Sequence, residues 1–314
     1  SSEMGLTQAD GKANTSAKRL ATGKSGMVGM IFRSSRNLLV DPHFVEFLAG
    51  LASGLADREI DFMFHTAPSG ELLSHYRRFA SSGSVDGLIV SAPEIDDQRL
   101  PTLAERGFPF VVHGRTADTV DYPYYDIDND GALAAATSLL TDLGHRRIAL
   151  LNGPPGFAFS AQRETAFRRV TGERGIAVPD RFVRSDEMSE EIGHARAVAM
   201  LADDQPPTAF VCSSTLLALG VMRAAAAAGL RVGADLSIIA HDDVLPHLRS
   251  EHFSPALTVT RSPIRDAGLA LAEMIVARIA GADPVSLQRI VKADLIVRAS
   301  TGAAPKAGGP GWQT

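Results

Sequence analysis

Several polar residues stand just past short apolar runs, where strands would end. Ser91 follows GLIV, Ser214 follows FVC, and Asp242 follows LSIIA, while Arg163 opens RETAF after a strand and loop. An aspartate there can accept two hydroxyls, and a guanidinium offers five donors in a fixed fork. Bond-breaking chemistry is harder to find. The chain has no GxxxxGK[ST] phosphate loop and no GxSxG elbow, and GPPGF after LLN lacks the GxGxxG spacing, so it reads as a loop. His241, Asp242 and Asp243 put two carboxylates beside an imidazole, but no second cluster has ligand spacing, and no metal is expected. The lone Cys212 has no evident base and reads as a packed small side chain. His145, just after Gly144 at a helix end, reads as structural.

These residues need elements to hold them. Apolar runs at Met27–Phe32, Phe62–His65, Gly87–Val90, Phe110–Val112, Ile148–Leu151, Ala209–Cys212 and Leu236–Ala240 read as strands. They are apolar on both faces, as parallel strands covered by helices must be. Helical patterns at Phe44–Ala56, Glu71–Ser81, Asp97–Arg106, Gly131–Leu143, Ala161–Arg174, Ser189–Leu201 and Leu216–Ala228 lie between them. This alternation predicts a doubly wound α/β fold. It runs twice, restarting after Tyr125. Pro255–Thr260 then reads as a crossover, Pro263–Ala280 as a late helix and Ala293–Val297 as a closing strand. Two such lobes make a cleft at the carboxyl ends of their strands, where ligands bind in these sheets.

With 314 residues, 45% of them hydrophobic, the chain can build two cores. Its net charge of −5 gives no global attraction to nucleic acid, so such contact must be local. The exception is the opening, where Lys12, Lys18, Arg19 and Lys24 cluster. No run is long enough to span a membrane, no apolar signal is present, and one cysteine excludes an intrachain disulfide, which together point to the cytoplasm. The Gly/Pro-rich stretch AAPKAGGPGWQT reads as a disordered tail.

Taken in order, YYDIDNDGALAAATSLLTDLGHRRIALLNGP, RETAF, STLLALGVMRAAAAAGLRVGADLSIIAHDDV and SPALTVTRSP resemble the lactose-repressor (LacI) family of bacterial regulators. The opening NTSAKRLATGKSGMVGMIF is similar to that family's hinge helix running into its first core strand. PFVVHGRT, with LATGKSGMVGMIF, further resembles α-glucoside-responsive members. The resemblance spans about Gly5 to Ala299. It implies two Rossmann-like parallel-sheet lobes, periplasmic-binding-protein-like, around a ligand cleft. The implied division is a DNA-binding remnant and hinge over 1–26, a first lobe over 27–126 plus 263–290, a second over 127–259 plus 291–300, and a tail over 301–314.

By the same resemblance, Asn14, Ala17, Lys18, Arg19 and Leu20 belong to a hinge that folds on operator DNA. So short a helix cannot hold itself in water. Paired in a homodimer, two such segments can enter a minor groove, with Lys18 and Arg19 on phosphates and Leu20 wedged between base pairs. The family's helix-turn-helix is expected to be missing from this chain, leaving little specific DNA binding of its own. The helix around Phe79 and the segment Leu88–Ala92 are expected near the dimer face.

For a polyol effector the resemblance assigns Arg163 and Asp242 to ligand hydroxyls, with Asp243 as a backbone or capping partner. Ser214 and Ser91 line the cleft, and Asp126 stands at the crossing between lobes, compensating for Gly114 where relatives often have Asp. Arg261 donates from the hinge between lobes. Asp41 lies beside Phe44, and Phe44, Phe157 and Phe159 offer apolar faces to a sugar, with Met188 a softer wall. The expected function is a sugar-responsive repressor, α-glucosides being the leading effectors, with no cofactor and no enzymatic turnover. The alternatives are a periplasmic sugar-binding protein, which has no need of the basic leader, and a sugar kinase or hydrolase. Sugar phosphates, purines and nucleosides are the remaining effector classes.

Overall fold

The computed structural model describes residues 23–33, 41–68, 70–117 and 121–306. Asn14, Ala17, Lys18, Arg19 and Leu20 lie outside them. Twelve strands form two six-stranded sheets. The first contains β1 (Met27–Arg33), β2 (Asp61–Ala67), β3 (Gly87–Ser91), β4 (Phe110–His113), β5 (Tyr124–Ile127) and β11 (Gln288–Val291), in the order β11-β5-β4-β3-β1-β2, all parallel. The second contains β6 (Ile148–Asn152), β7 (Val183–Ser185), β8 (Ala209–Cys212), β9 (Ser237–Asp242), β10 (Thr258–Arg261) and β12 (Asp294–Ile296), in the order β12-β10-β9-β8-β6-β7. Only β10–β12 is antiparallel. The chain crosses between the sheets after β5, after β10 and after β11.

Strand alternation divides each sheet between two cores. In β8, Ala209 and Val211 enter one apolar cluster and Phe210 and Cys212 the other, as a period of two requires. Helices α1 (Pro42–Ala56) and α8 (Ile264–Ile279) cover one face of the first sheet; α2 (Leu72–Ser82) and α3 (Arg99–Glu105) cover the other. The second sheet lies between α4 (Asn129–Asp142) with α5 (Ala158–Glu173) and α6 (Glu190–Leu201) with α7 (Thr215–Ala227). Two helix crossings depend on glycine. A Cβ on Gly268 would stand 2.4 Å from the Phe47 carbonyl, and one on Gly50 would stand 2.2 Å from that of Arg265, so α1 and α8 touch backbone to backbone. Gly193 and Gly220 do the same for α6 and α7.

The apolar runs read from the sequence all fall in strands. The strands not read from the sequence are short or polar: β5 is YYDI, β7 is VRS, and β11 is QRIV, with Arg289 and Ile290 exposed at a sheet edge. The crossover at Pro255–Thr260 contains β10. Leu88–Val90 lie on the inner strand β3 with their side chains fully buried; the edges of this sheet are β2 and β11. Phe79 is likewise a core residue. Gly302 exchanges hydrogen bonds with Ser237, and the Ala304 amide donates to the Leu143 carbonyl, so 301–304 lie against the second sheet; the rest of the expected tail, 307–314, is outside the described residues.

Candidate functional site

The segments that leave the strand ends of one sheet meet those of the other. After β3, the Ile95 amide donates to the Gly156 carbonyl at 2.9 Å, and the Ala158 amide donates to the Pro93 carbonyl at 3.0 Å. Glu94 and Phe157 form an antiparallel bridge between them. The Gln162 side chain, on α5, donates to the Arg115 carbonyl, just after β4, at 3.2 Å. Two non-glycine residues in this region hold left-handed backbone: Ala92 at φ 46° after β3, and Val244 at φ 59° after β9. A β-branched residue avoids that region, so the loop that carries Val244 must be held there by its neighbours.

Arg163 is 5% exposed and sits where α5 faces the cleft. Its Nε donates to Asn129 Oδ1 at 2.8 Å and one terminal nitrogen donates to the Ser213 carbonyl at 2.9 Å. The other terminal nitrogen has no protein partner among the described residues. Its guanidinium carbon lies 5.1 Å from the Phe159 ring centre, a cation–π contact. Burial lowers its pKa, against the pull of Asp243 and Asp126. Asp126, 4% exposed on β5, accepts from Arg115 Nε at 3.0 Å and from the Asn129 amide at 3.2 Å. Burial nevertheless pushes its carboxyl up to about 6.

The two adjacent aspartates have different surroundings. Asp242 is 1% exposed and each of its oxygens accepts a hydrogen bond from the loop that follows: Oδ1 from the Val244 amide at 2.8 Å and Oδ2 from the Ser250 hydroxyl at 2.5 Å. Asp243 faces the cleft. His43 Nε2 of the first lobe lies 3.4 Å from its Oδ2, and His241 Nε2 lies 3.6 Å from its Oδ1. Burial alone would raise its pKa, but His241, His43 and Arg163 hold it far below the usual carboxylate range. His113, at the end of β4, stacks on Phe47 with ring centres 4.6 Å apart, and burial depresses its pKa to about 4, leaving it neutral.

Six buried side-chain polar atoms lack a hydrogen-bond partner among the described residues. Four are here: Ser160 Oγ and Gln162 Oε1, and also His43 Nε2 and His241 Nε2, which face Asp243 at ion-pair distance instead. Unmet buried polar atoms cost free energy, and their gathering between two lobes is what a binding site awaiting a polar ligand requires.

Comparison with known proteins gives this cleft its context. Residues 137–301 match the family described as periplasmic binding protein-like domain. The HTH-type transcriptional regulator AglR of Rhizobium meliloti (strain 1021) is 42% identical over 295 residues, 94% of this chain and 83% of that protein. A solved regulatory protein of LacI family from Chloroflexus aggregans is 28% identical with a TM-score of 0.75, covering 88% of this chain and 99% of that one. This chain belongs to the LacI family of transcriptional regulators. A transcriptional regulator CelR–cellobiose complex is also similar, 26% identical with a TM-score of 0.76 over 94% of this chain and 91% of that one.

Membership sets aside the transport-receptor and sugar-enzyme alternatives, since the relatives are regulators of transcription. Among the described residues no helix is long and apolar enough to cross a membrane, and no group of three potential ligands could hold a metal ion.

The remaining sequence-derived positions of this LacI-family regulator fall into distinct places. Ser214 is fully buried and caps α7, its Oγ accepting from the Leu217 amide at 3.2 Å. Ser91 ends β3, and its carbonyl accepts from Arg99 at 3.4 Å. Arg261 ends β10, with Nε 3.9 Å from Asp242 Oδ2. Asp41 caps α1 and accepts from both the amide and Nδ1 of His43 at 3.0 Å. Phe44 packs edge-on to Phe32, ring centres 4.6 Å apart, in a cluster with Phe64. Phe157 and Phe159 stack on each other at the start of α5, half-buried. Met188 packs on the second lobe's core. His43 and Gln162 stand in no motif, and His113 and Arg115 stand in PFVVHGRT, whose resemblance assigns them no role. Position is the other available signal, since His43 follows β1, His113 ends β4 and Arg115 follows it.

Proposed function

We propose that this LacI-family regulator is a repressor that binds an uncharged disaccharide, of the α-glucoside class, between its lobes and so controls operator binding. The observation that carries the reading is the meeting of buried polar groups between the lobes: Ser160 Oγ and Gln162 Oε1, which have no hydrogen-bond partner among the described residues, with Arg163 and Asp243. Hydroxyls can donate and accept, so a polyol meets orphan donors and acceptors alike. Charge balance favours a neutral effector. Arg115 is paired with Asp126, His43 stands between Asp41 and Asp243, and Arg163 is offset by Asp126 and Asp243. Among the described residues no buried cation of the cleft is left over for a phosphate, which argues against sugar phosphates. The half-buried rings of Phe157 and Phe159 supply an apolar face for a pyranose. The cellobiose complex of a similar regulator and the resemblance of PFVVHGRT to α-glucoside-responsive members support a disaccharide.

The mechanism follows from the three crossovers. The bodies 27–126 plus 263–290 and 127–259 plus 291–300 reorient on effector binding, and in a homodimer in the cytoplasm this changes the spacing of the two hinge segments. The effector need only prefer one orientation: a tenfold preference corresponds to about 1.4 kcal/mol per site. Calorimetric titration with sucrose, trehalose, maltose, glucose and galactose tests the reading. Micromolar binding of one α-glucosidic disaccharide, abolished by Arg163→Ala, is expected. Heat only from a phosphorylated sugar or a nucleoside would replace the effector class, and product formation from any sugar would defeat the regulator mechanism.

A further inference from the structure

His43 makes a contact between the two lobes. His43 is 7% exposed in the first turn of α1. Asp41 Oδ1 lies 3.0 Å from its Nδ1, and Asp243 Oδ2, on the opposite lobe, lies 3.4 Å from its Nε2. Carboxylates only accept hydrogen bonds, whereas a neutral imidazole carries one N–H and one lone pair. A neutral His43 would therefore turn a lone pair towards one of two carboxylates. Only the imidazolium presents a proton to both.

We propose that His43 is a proton-operated latch between the lobes: protonated, it joins Asp41 on its own lobe to Asp243 on the other, and on losing its proton it lets them part. This makes the effector affinity of the cleft pH-dependent near neutrality, a consequence that rests on the cleft being the effector site; the latch itself does not.

The other groups that face this contact are consistent with His43 as the switching element. His241 has neighbours of its own, with Thr260 Oγ1 3.1 Å from its Nδ1 and Asp243 Oδ1 3.6 Å from its Nε2. His113 is kept neutral by burial and adds no competing charge. Arg163 is cationic and works against protonation of His43; Asp126, beside it, offsets that charge. One turn along α1, Glu46 is already engaged by Arg265. The balance raises the His43 pKa: burial opposes the proton, but the Asp41 hydrogen bond and the charges of Asp243 and Asp41 outweigh it. With a folded pKa above the ordinary value, the latch is complete below about pH 6.5 and is lost as pH rises through the raised value.

The test begins without effector. Imidazole nitrogen NMR of the ¹⁵N-histidine-labelled chain is expected to show both His43 nitrogens protonated at about pH 6.5, with Asp243→Asn lowering the midpoint by roughly one unit. A singly protonated His43 at about pH 6 would overturn the latch. Calorimetry with the bound sugar at about pH 6 and about pH 8.5 is the second arm. Affinity is expected to fall by roughly fivefold to tenfold in the unaltered chain and to stay level in His43→Gln, which cannot titrate. Equal affinity at both pH values in the unaltered chain refutes the coupling. If NMR shows the doubly protonated ring but no sugar binds at either pH, the latch stands and the effector assignment fails.

Discussion

The Nε of Arg163 donates to Oδ1 of Asn129 at 2.8 Å, and the amide of the same Asn129 donates to Asp126 at 3.2 Å. Asn129 opens α4 immediately after the first crossover, so the cleft arginine is joined to a segment that links the two lobes. Arg163→Ala would strand Asn129 Oδ1 and the Ser213 carbonyl. A loss of about 2–4 kcal/mol in stability is expected, since two charge-assisted bonds go at once. Arg163→Lys should recover much of the stability but little of the affinity, because an ammonium cannot span both partners and also reach a ligand. Denaturant melts paired with calorimetry check the separation.

How far the sequence reveals this arrangement depends on where a residue sits in the pleat. Inner strands such as β3 and β8 show themselves because both faces are covered and every position is apolar. The edge strands β7 and β11 do not, because solvent on one side permits Arg184, Arg289 and Ile290 to stand outward. In the cleft, Arg163 could be found from its place in RETAF. The pair Asp242 and Asp243 could not be divided, since adjacent residues on a strand end point opposite ways and only the loop to Ser250 decides which one is used up. His43 offered only its position after β1, because the contact that singles it out is with Asp243, 200 positions away in the chain.

Asp126 makes stability fall with pH over a narrow range. Its folded pKa of about 6 exceeds the ordinary value of 3.8, so between these limits the folded chain holds a proton that the unfolded chain has released. Stability from this group is full below the lower limit and declines as pH rises through the upper one. Asp126→Asn should remove that decline, a difference of up to about 3 kcal/mol between the two curves. Urea unfolding from about pH 4 to about pH 7 measures it. Parallel curves would show that Arg115 cancels the burial term.

The close approach of α1 and α8 makes Gly268 a structural requirement for the site. A Cβ there would meet the Phe47 carbonyl at 2.4 Å and the Leu51 amide at 2.5 Å, both backbone atoms that cannot rotate away. Gly268→Ala should push α1 off α8 and cost about 2–4 kcal/mol, an overpacking penalty above its small helix-propensity gain. Because α1 carries His43 and Asp41 on its first turn, effector binding should weaken in the folded fraction as well. Gly172→Ala, at a helical position with nothing within 4 Å of the added carbon, is the control and should be neutral or slightly stabilising.

Asp242 and Ser250 test whether the first aspartate of the pair holds the ligand or holds the loop. Ser250 Oγ donates to Asp242 Oδ2 at 2.5 Å, the hydroxyl is fully buried, and the Val244 amide takes the other oxygen at 2.8 Å. Together these bonds keep Val244 at φ 59° and thereby aim Asp243 across the cleft at His43. Ser250→Ala removes the bond to Asp242 and the one that the Arg298 guanidinium donates to the hydroxyl at 3.2 Å, without altering Asp243, at an expected cost of about 1.5–3 kcal/mol. If Asp242 acts through the loop, Ser250→Ala and Asp242→Asn should both weaken effector binding, by roughly tenfold where the lost positioning is worth about 1.4 kcal/mol. If Asp242 touches the effector itself, Asp242→Asn should abolish binding while Ser250→Ala leaves the affinity intact and lowers only stability. The loop arrangement predicts the first outcome, and a calorimetric double-mutant cycle on these two positions distinguishes it from the second.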